Sequence, residues 1–350
     1  MQKSLSPEKI CVDLENNLLS KAFAIELLFS LIESSEDPDI RKSSIDAFKR
    51  IERKDDKIFE FIENFLLSDE NPRVRSAAAK LIEHSFLAEG VESLKWTIHH
   101  DKSPIVLKTI KEIVENGKEE TKVLNEGFGK VLEYIAKHIG IVREEASFFL
   151  DLEALFAEDI GDYKLDLSTY LLFQKIKDFE ISDYWLKIED NHVISLCFNY
   201  FNWIYFKQRP QIYSSLSKLQ DPFIYLNTLK RLEETNQKSL NLPKSIGSLK
   251  ELKYCTLIDN GIRNLPPEIC SLEKLEYLDL SWNQLTNIPD GIFNLEKLEY
   301  LNLSHNNLDK IPLKLGDLKN LRELKLNGNN IKEIPPTLEY FANSLRKFKI

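Results

Sequence analysis

The sequence is short of the residues that punctuate loops. Its 350 residues include only 11 glycines and 13 prolines, which excludes a collagen-like or linker-dominated chain. Four cysteines are present (Cys11, Cys197, Cys255, Cys270), and none forms a C-x-x-C pair. Reduced, structural cysteines of an intracellular protein are therefore expected. There is no surplus of basic charge: 47 Lys and Arg stand against 56 Asp and Glu, net −9. A general nucleic-acid binder needs the opposite balance for its phosphate contacts. There is no long apolar run either. The most apolar stretch, 23–32, is too short to span a bilayer and carries Glu26. The start has no apolar signal core behind a basic end. A cytoplasmic location with no membrane or nucleic-acid partner follows as an expectation, and the Asn302-Leu303-Ser304 sequon is read as chance.

What remains is globular composition, 43% hydrophobic and 29% charged, on a chain too long for one ordinary core. The expectation is two or three domains, or a repeat array. Charge divides the chain: residues 1–160 hold 22 basic and 32 acidic side chains, and the remainder 25 and 24. The spacing of motifs refines this into a first domain at 1–160, a connecting segment at 161–183 and a second domain at 184–350.

The strongest pattern is a 23-residue period. Leu249, Leu272, Leu295 and Leu318 form one column, and Leu252, Leu275, Leu298 and Leu321 the next. Cys255, Leu278, Leu301, Leu324 and Leu257, Leu280, Leu303, Leu326 follow. Then come Asn260, Asn283, Asn306 and Asn329, and an Ile-Pro or Leu-Pro pair at 265, 288, 311 and 334. The L-x-L core alternates with period two, so it predicts a short strand with leucines on one side. Stacked copies would form a parallel sheet. The Asn sits where the chain turns, and its side chain can satisfy buried backbone groups of adjacent turns. Pro lacks an N–H and suits an extended or 3₁₀ return. At these residues the chain resembles the leucine-rich repeat family in its short class. The regular copies run over 249–340. The resemblance implies a β-solenoid with a parallel sheet on its concave face, and protein binding there.

The ends of this array are less regular. Leu226, Leu229, Leu232, Leu242-Pro243 and Ile246 keep the register, with Glu234 and Gln237 where Leu and Asn are expected. This predicts degenerate repeats over 184–248. Residues 184–198 read as two strands with a turn at Asp190-Asn191, followed by a return near Arg209-Pro210-Gln211-Ile212. Residues 199–225 fit no register. At the other end Leu345, Phe348 and Ile350 predict a terminal strand within 341–350, displaced by one residue. Either that strand caps the array itself, or a partner or second copy covers its edge.

A looser period runs through 15–157. Asp37-Pro38-Asp39-Ile40-Arg41, Asn71-Pro72-Arg73-Val74-Arg75 and Ser103-Pro104-Ile105-Val106 open apolar-periodic runs, and Gly140-Ile141-Val142-Arg143 opens a fourth. The prolines are 34 and 32 residues apart. Asp, Asn or Ser before Pro predicts a helix start, an N-cap acceptor followed by a residue that needs no N–H partner. Further helices are expected near 17–33, 55–68, 89–99, 121–138 and 166–178. The pairing resembles HEAT repeats, carried by the D-P-x-I-R and N-P-x-V-R runs. An irregular helical bundle is the alternative, and the tetratricopeptide pattern fits poorly. The expected fold class is thus an α+β multidomain repeat protein, an N-terminal HEAT-like α-solenoid followed by a leucine-rich β-solenoid.

No catalytic constellation stands out. Gly127-Phe128-Gly129-Lys130 lacks the rest of a phosphate loop and is expected to be a helix-flanking turn. His99-His100-Asp101 puts adjacent residues on different helix faces with no second ligand pair. The single Glu83-His84 pair lacks the repeated His-Glu pattern of HEAT-like metalloenzymes. Asp55-Asp56 and Glu144-Glu145 are expected to be solvent-facing helix charges. Arg346-Lys347 is too small a cluster for a nucleic-acid stripe. No cofactor, metal site or catalytic residue is expected.

The informative positions lie between the leucines, on the open face of the predicted sheet. One column is Tyr254, Tyr277, Tyr300, Glu323, the next Thr256, Asp279, Asn302, Lys325, and the third Asp259, Trp282, His305, Gly328. Exposed large aromatics are costly unless used, and Tyr and Trp anchor interfaces. The expected protein-binding patch is centred on Tyr277, Trp282, Tyr300 and His305, with Tyr254 beside it and Asp279, Asn302 and Lys325 setting polar specificity. The alternative is a tyrosine ladder that only supports the sheet. Three functions are open. The first is a non-catalytic interaction module or scaffold, with a second partner on the helical array. The second is a recognition subunit of a ligase, phosphatase or small-GTPase regulatory complex. A metal-dependent enzyme on the helical array ranks last, since no ligand or acid–base set converges.

Overall fold

The structure is a computed structural model that describes residues 6–51, 54–160, 186–197 and 240–350. These fall into two compact units. The first holds residues 1–135 and 150–170, the second residues 136–149 and 171–350.

The first unit is helical. Its elements are α1 (Pro7–Glu15), α2 (Lys21–Ser34), α3 (Pro38–Ala47), α4 (Asp56–Ser68), α5 (Pro72–Ser85), α6 (Leu87–His100) and α7 (Pro104–Glu115), followed by parts of α8 (Leu124–Ile139) and α9 (Arg143–Ile160). Helices pack as pairs, α2 with α3, α4 with α5 and α6 with α7. The second members, α3, α5 and α7, stack in one row, and α4 packs beside α6. Ile45, Ile62, Leu66, Val74, Ala78, Ile82, Leu94 and Ile110 fill the space between. Caps set the starts. The Asp37 carboxylate accepts from the Asp39 N–H, and the Asn71 amide from the Arg73 N–H. Asp55 caps α4 through the Lys57 N–H, so one of the two acids at 55–56 ends the helix and does not merely decorate it. Ser103 departs from the expectation, because its side chain makes no cap bond. Its own N–H is instead bound by Asp101 at 2.8 Å.

That Asp101 belongs to a ladder between successive pairs. Arg41 reaches Asp69 with two bonds, 2.9 and 3.1 Å, and donates to the Ser35 and Glu36 carbonyls. Arg75, 34 positions on, binds Asp101 at 2.7 and 3.0 Å and the Asp69 and Glu70 carbonyls. Leu107, near the same place in the next helix, is buried, and the ladder stops. Gly127 and Gly129 lie inside α8, not in a flanking turn. Gly127 faces Ile98 and His99 of α6, with room for a Cβ at ordinary contact distances of 3.4 and 3.5 Å.

The second unit is built on one seven-stranded sheet in the order β1 to β7. β1 (Leu186–Glu189) and β2 (His192–Cys197) form an antiparallel hairpin. Its turn residues Asp190 and Asn191 both take positive φ, 51° and 62°, as a tight hairpin turn requires. β3 (Tyr254–Thr256), β4 (Tyr277–Asp279), β5 (Tyr300–Asn302), β6 (Glu323–Lys325) and β7 (Lys347–Lys349) are parallel to β2 and to one another. β2 bonds directly to β3. The expected strand of a degenerate copy near 226–234, the return near 209–212 and the helix at 166–178 lie outside the described residues.

The leucine columns are the core. Leu252, Leu275, Leu298, Leu278, Leu301, Leu257, Leu280 and Leu303 are fully buried, each contributing roughly 1.5–3 kcal/mol. Asn283 closes the turns. Its Oδ1 accepts from the Asn260 and Ile262 N–H groups, both at 3.0 Å, and its Nδ2 donates to the Leu257 and Leu280 carbonyls at 2.8 and 2.9 Å. Asn306 and Asn329 repeat the two donated bonds one and two copies later and accept from one N–H each, Leu285 and Leu308. After Pro243, Pro266, Pro289 and Pro312 the chain returns through five-residue 3₁₀ turns. After Pro335 it forms α10 (Pro336–Ser344) instead. The longer return places Phe348 opposite Leu324, 24 positions on, which is the one-residue displacement expected from the sequence.

The hairpin is tied to residues before it. Glu145, in the first turn of α9, is 1% exposed, against the expectation of a solvent-facing acid. It accepts from the Val193 N–H at 3.0 Å and contacts His192 Nδ1 at 3.2 Å. The Val142 N–H donates to the Asn191 carbonyl at 2.8 Å. Burial pushes the Glu145 carboxyl above its ordinary range, and the Val193 and His192 bonds offset part of that.

Candidate protein-binding face

The open face of the sheet carries the side chains between the leucines, because strand alternation sends them away from the core. Parallel register sets Tyr254, Tyr277 and Tyr300 side by side, with Thr256, Asp279, Asn302 and Lys325 in the adjoining column. The Tyr277 and Tyr300 rings stack at 4.1 Å with planes 3° apart. Tyr254 is not stacked on them; it is exposed, with its hydroxyl 3.3 Å from the Glu276 carboxylate. That carboxylate is the main cause of its raised phenol pKa, whereas burial raises that of Tyr277. Lys325 donates to the Tyr300 hydroxyl at 2.7 Å and stands 4.9 Å from the centre of that ring. The bond raises its ammonium above the usual lysine value.

Asp279 and Asn302 occupy the expected face but are 5% and 6% exposed. The Asp279 carboxylate accepts from the Ser281 N–H and hydroxyl through one oxygen, and from the Asn302 amide at 2.9 Å through the other. Asn302 treats Ser304 the same way. These are turns in which a side chain folds back on the backbone two residues on. The D-x-S and N-x-S sequences at 279–281 and 302–304 carry the signal for them. Both residues shape the face from within, whereas Thr256 and Lys325 of that column stay half-exposed.

The third column holds a feature that hydrophobic pattern does not reveal. Asp259, Trp282 and His305 all have left-handed backbone, φ 58°, 59° and 55°, and Gly328 has φ 75°. A bulky residue there is an outlier that costs about 1–3 kcal/mol. The glycine in one copy was the available clue that the whole column is left-handed. Trp282 is 49% exposed, and its ring lies flat on His305, 3.8 Å away with planes 11° apart. His305 in turn lies over Gly328. A Cβ at Gly328 would come within 2.5 Å of His305 Nδ1. Two flat stacks therefore run across adjacent strands, Tyr277 on Tyr300 and Trp282 on His305.

Among the described residues no group of three or more His, Cys, Asp or Glu could hold a metal ion, and no helix is long and apolar enough to cross a membrane. The thiols are buried or half-buried and unpaired. Burial pushes Cys197 up to about 11 and Cys255 up to about 12. His99 and His100 sit at the exposed end of α6, the latter stacked on Trp96.

Residues 273–331 match the family model described as leucine rich repeat. The search of curated proteins finds no match. Among solved structures, the chain is similar to a Leptospira interrogans LRR protein, at 34% identity over 31% of this chain and 33% of that one, TM-score 0.26. It is similar to the plant peptide hormone receptor RGFR1 in complex with RGF2, at 32% identity over 31% of this chain and 18% of that one, TM-score 0.29. An internalin of Listeria monocytogenes aligns at 23% identity over 31% of this chain and 32% of that one, TM-score 0.28. The aligned part thus spans about a third or less of each of these proteins. The matched residues, the asparagine ladder and the three-residue parallel strands share one 23-residue register, and they make the C-terminal part of this chain an array of leucine-rich repeats.

Proposed function

We propose that the chain is a non-catalytic interaction module or scaffold, cytoplasmic, that binds a protein partner on the open face of its leucine-rich sheet. The observation that carries this reading is the backbone of the third column. Trp282 and His305 are held in a conformation that glycine would adopt at lower cost, and the tryptophan still leaves half its surface in water. A sheet-supporting role does not require that strain, whereas an interface anchor gains from a rigid, pre-stacked ring. Tyr277, Tyr300, Trp282 and His305 form the centre of the patch, Tyr254 extends it, and Lys325 supplies charge. Asp279 and Asn302 contribute by fixing the turn that presents Trp282 and His305.

The helical array offers a second surface. Its paired helices and Arg–Asp ladder fit HEAT-like repeats, and the two arrays would hold two partners. The domain division at 1–160, 161–183 and 184–350 belongs to the same proposal. A recognition subunit of an enzyme complex is the finer version, distinguished by an enzyme that co-purifies. The test is capture from host lysate by wild type and by a Tyr277→Ala/Trp282→Ala/Tyr300→Ala variant whose circular dichroism is native. Loss of the captured protein in the variant supports the face. An unchanged captured set makes the aromatic stacks structural.

A further inference from the structure

The open face is charged unevenly, and the imbalance points to the chemistry of what it binds. β4 and β5 bring Glu276, Asp279 and Glu299 to or beside the face, whereas β6 and β7 bring Arg322, Lys325, Lys347 and Lys349 against the single acid Glu323. Part of the basic charge is answered internally. Arg322 pairs with Glu299 at 3.2 Å, and Lys347 lies 3.8 Å from Glu323. Lys325 and Lys349 have no ion pair among the described residues, although the Asp279 and Glu323 carboxylates act on Lys325 from farther away. The two lysines are register partners on neighbouring parallel strands and point to the same side, so their backbones are about 4.8 Å apart. Among the described residues no carboxylate lies within 4.0 Å of either ammonium, and Lys325 turns for a partner to the Tyr300 hydroxyl and ring.

Resting on the protein-binding reading above, we infer that the occupant of this face is an extended acidic segment of a partner protein. Its carboxylates lie over Lys325 and Lys349, and an apolar or aromatic side chain beside them lies on the Trp282–His305 stack. Neither ammonium has a close carboxylate of its own, so a carboxylate brought by the partner supplies one, and the charge favours the bound state. The aromatic surface is continuous with the charge, since Lys325 touches Tyr300 and Tyr300 stacks on Tyr277. A nucleic acid fits poorly. A long phosphate backbone crossing the strands would run onto Glu276, Asp279 and Glu299, whereas a short acidic segment ends before them.

The test uses the full chain to select from a displayed library of random 12-residue peptides at low salt. The recovered peptides should be rich in Asp and Glu next to an aromatic or aliphatic residue. The Lys325→Glu/Lys349→Glu variant should bind those peptides at least about tenfold more weakly, and should itself select Lys- and Arg-rich peptides. Lys319→Glu/Lys332→Glu, which changes exposed lysines outside the strands, should select the original set, and circular dichroism should show all variants folded. Neutral or basic peptides recovered by wild type overturn the inference, as does an unchanged set in the Lys325/Lys349 variant, or no enrichment at all. The aromatic triple variant separates the two levels. Peptides that depend on the aromatics but are not acidic leave the face reading standing and remove this one. Acidic peptides bound equally without the aromatics remove the face reading.

Discussion

The two arrays solve one problem by different means. Each must join a repeat to the next with no polar group left stranded. In the helical array every helix satisfies its own backbone except at its ends, so the joint only has to deal with those ends. Arg41 and Arg75 do so, each binding an aspartate of the next pair and two carbonyls of its own turn. In the leucine-rich array the three-residue strands satisfy little by themselves. Asn283, Asn306 and Asn329 each complete the backbone of their own turn and of the one before. The first joint is charged and forgiving of spacing, while the second is neutral and tied to register. That is why starts 34 and 32 residues apart coexist with columns that hold 23 without deviation.

Four substitutions would break or sharpen this contrast. Asn283→Ala should have the largest effect. It strips partners from the N–H groups of Asn260 and Ile262 and the carbonyls of Leu257 and Leu280, all buried. A loss of roughly 3–5 kcal/mol is expected in urea unfolding, independent of salt. Arg75→Ala should cost about 2–3 kcal/mol, because it leaves Asp101 and two carbonyls short of donors. Its cost should shrink in high salt, and a salt-independent loss would mean that the stem of the arginine matters more than its charge. Gly328→Ala places a Cβ at left-handed φ against the His305 ring. About 1–2 kcal/mol is expected, together with a change in the environment of Trp282 visible in its fluorescence.

The smallest effect belongs to Glu145. Its carboxyl is raised by burial, so between the ordinary glutamate value and the folded value the native state binds the proton and the unfolded state does not. Stability must therefore fall as pH rises through that window, and the contribution is recovered on acidification. His192 and Glu251 are the titratable groups that act on it, and Lys274 is paired with Glu251 at 2.5 Å. Glu145→Gln keeps an acceptor for the Val193 N–H but cannot titrate. On acidification through that window the urea midpoint of wild type should rise relative to that of the variant, and a constant difference across it would refute the assignment.

The leucine-rich sheet was legible because its rule is local and repeats: L-x-L alternation, an asparagine at a set distance, then proline. The same holds for the helix starts at Asp37 and Asn71. What was hidden depended on partners far along the chain. Nothing near Glu145 announces that Val193, 48 positions later, will bury it. The exposed-looking polar residues of the face were hidden in a different way. Alternation assigned Asp279 and Asn302 to the correct side, but their serine neighbours two residues on drew them inward. The left-handed column was announced only by Gly328, since Trp282 and His305 are residue types that normally avoid such backbone.

The asparagine ladder also makes the array quantised in length. Removing 23 residues, such as 273–295, would rejoin one turn to the next with every amide facing the same backbone groups as before. Removing 22 would leave the junction turn one residue too long for its asparagine, a step of 24 like the one that takes a helix in place of a 3₁₀ turn before β7, while the copies after it keep their own register. Gain or loss of whole turns is therefore the cheap way for such a sheet to change its width, and with it the number of side chains it can present at once.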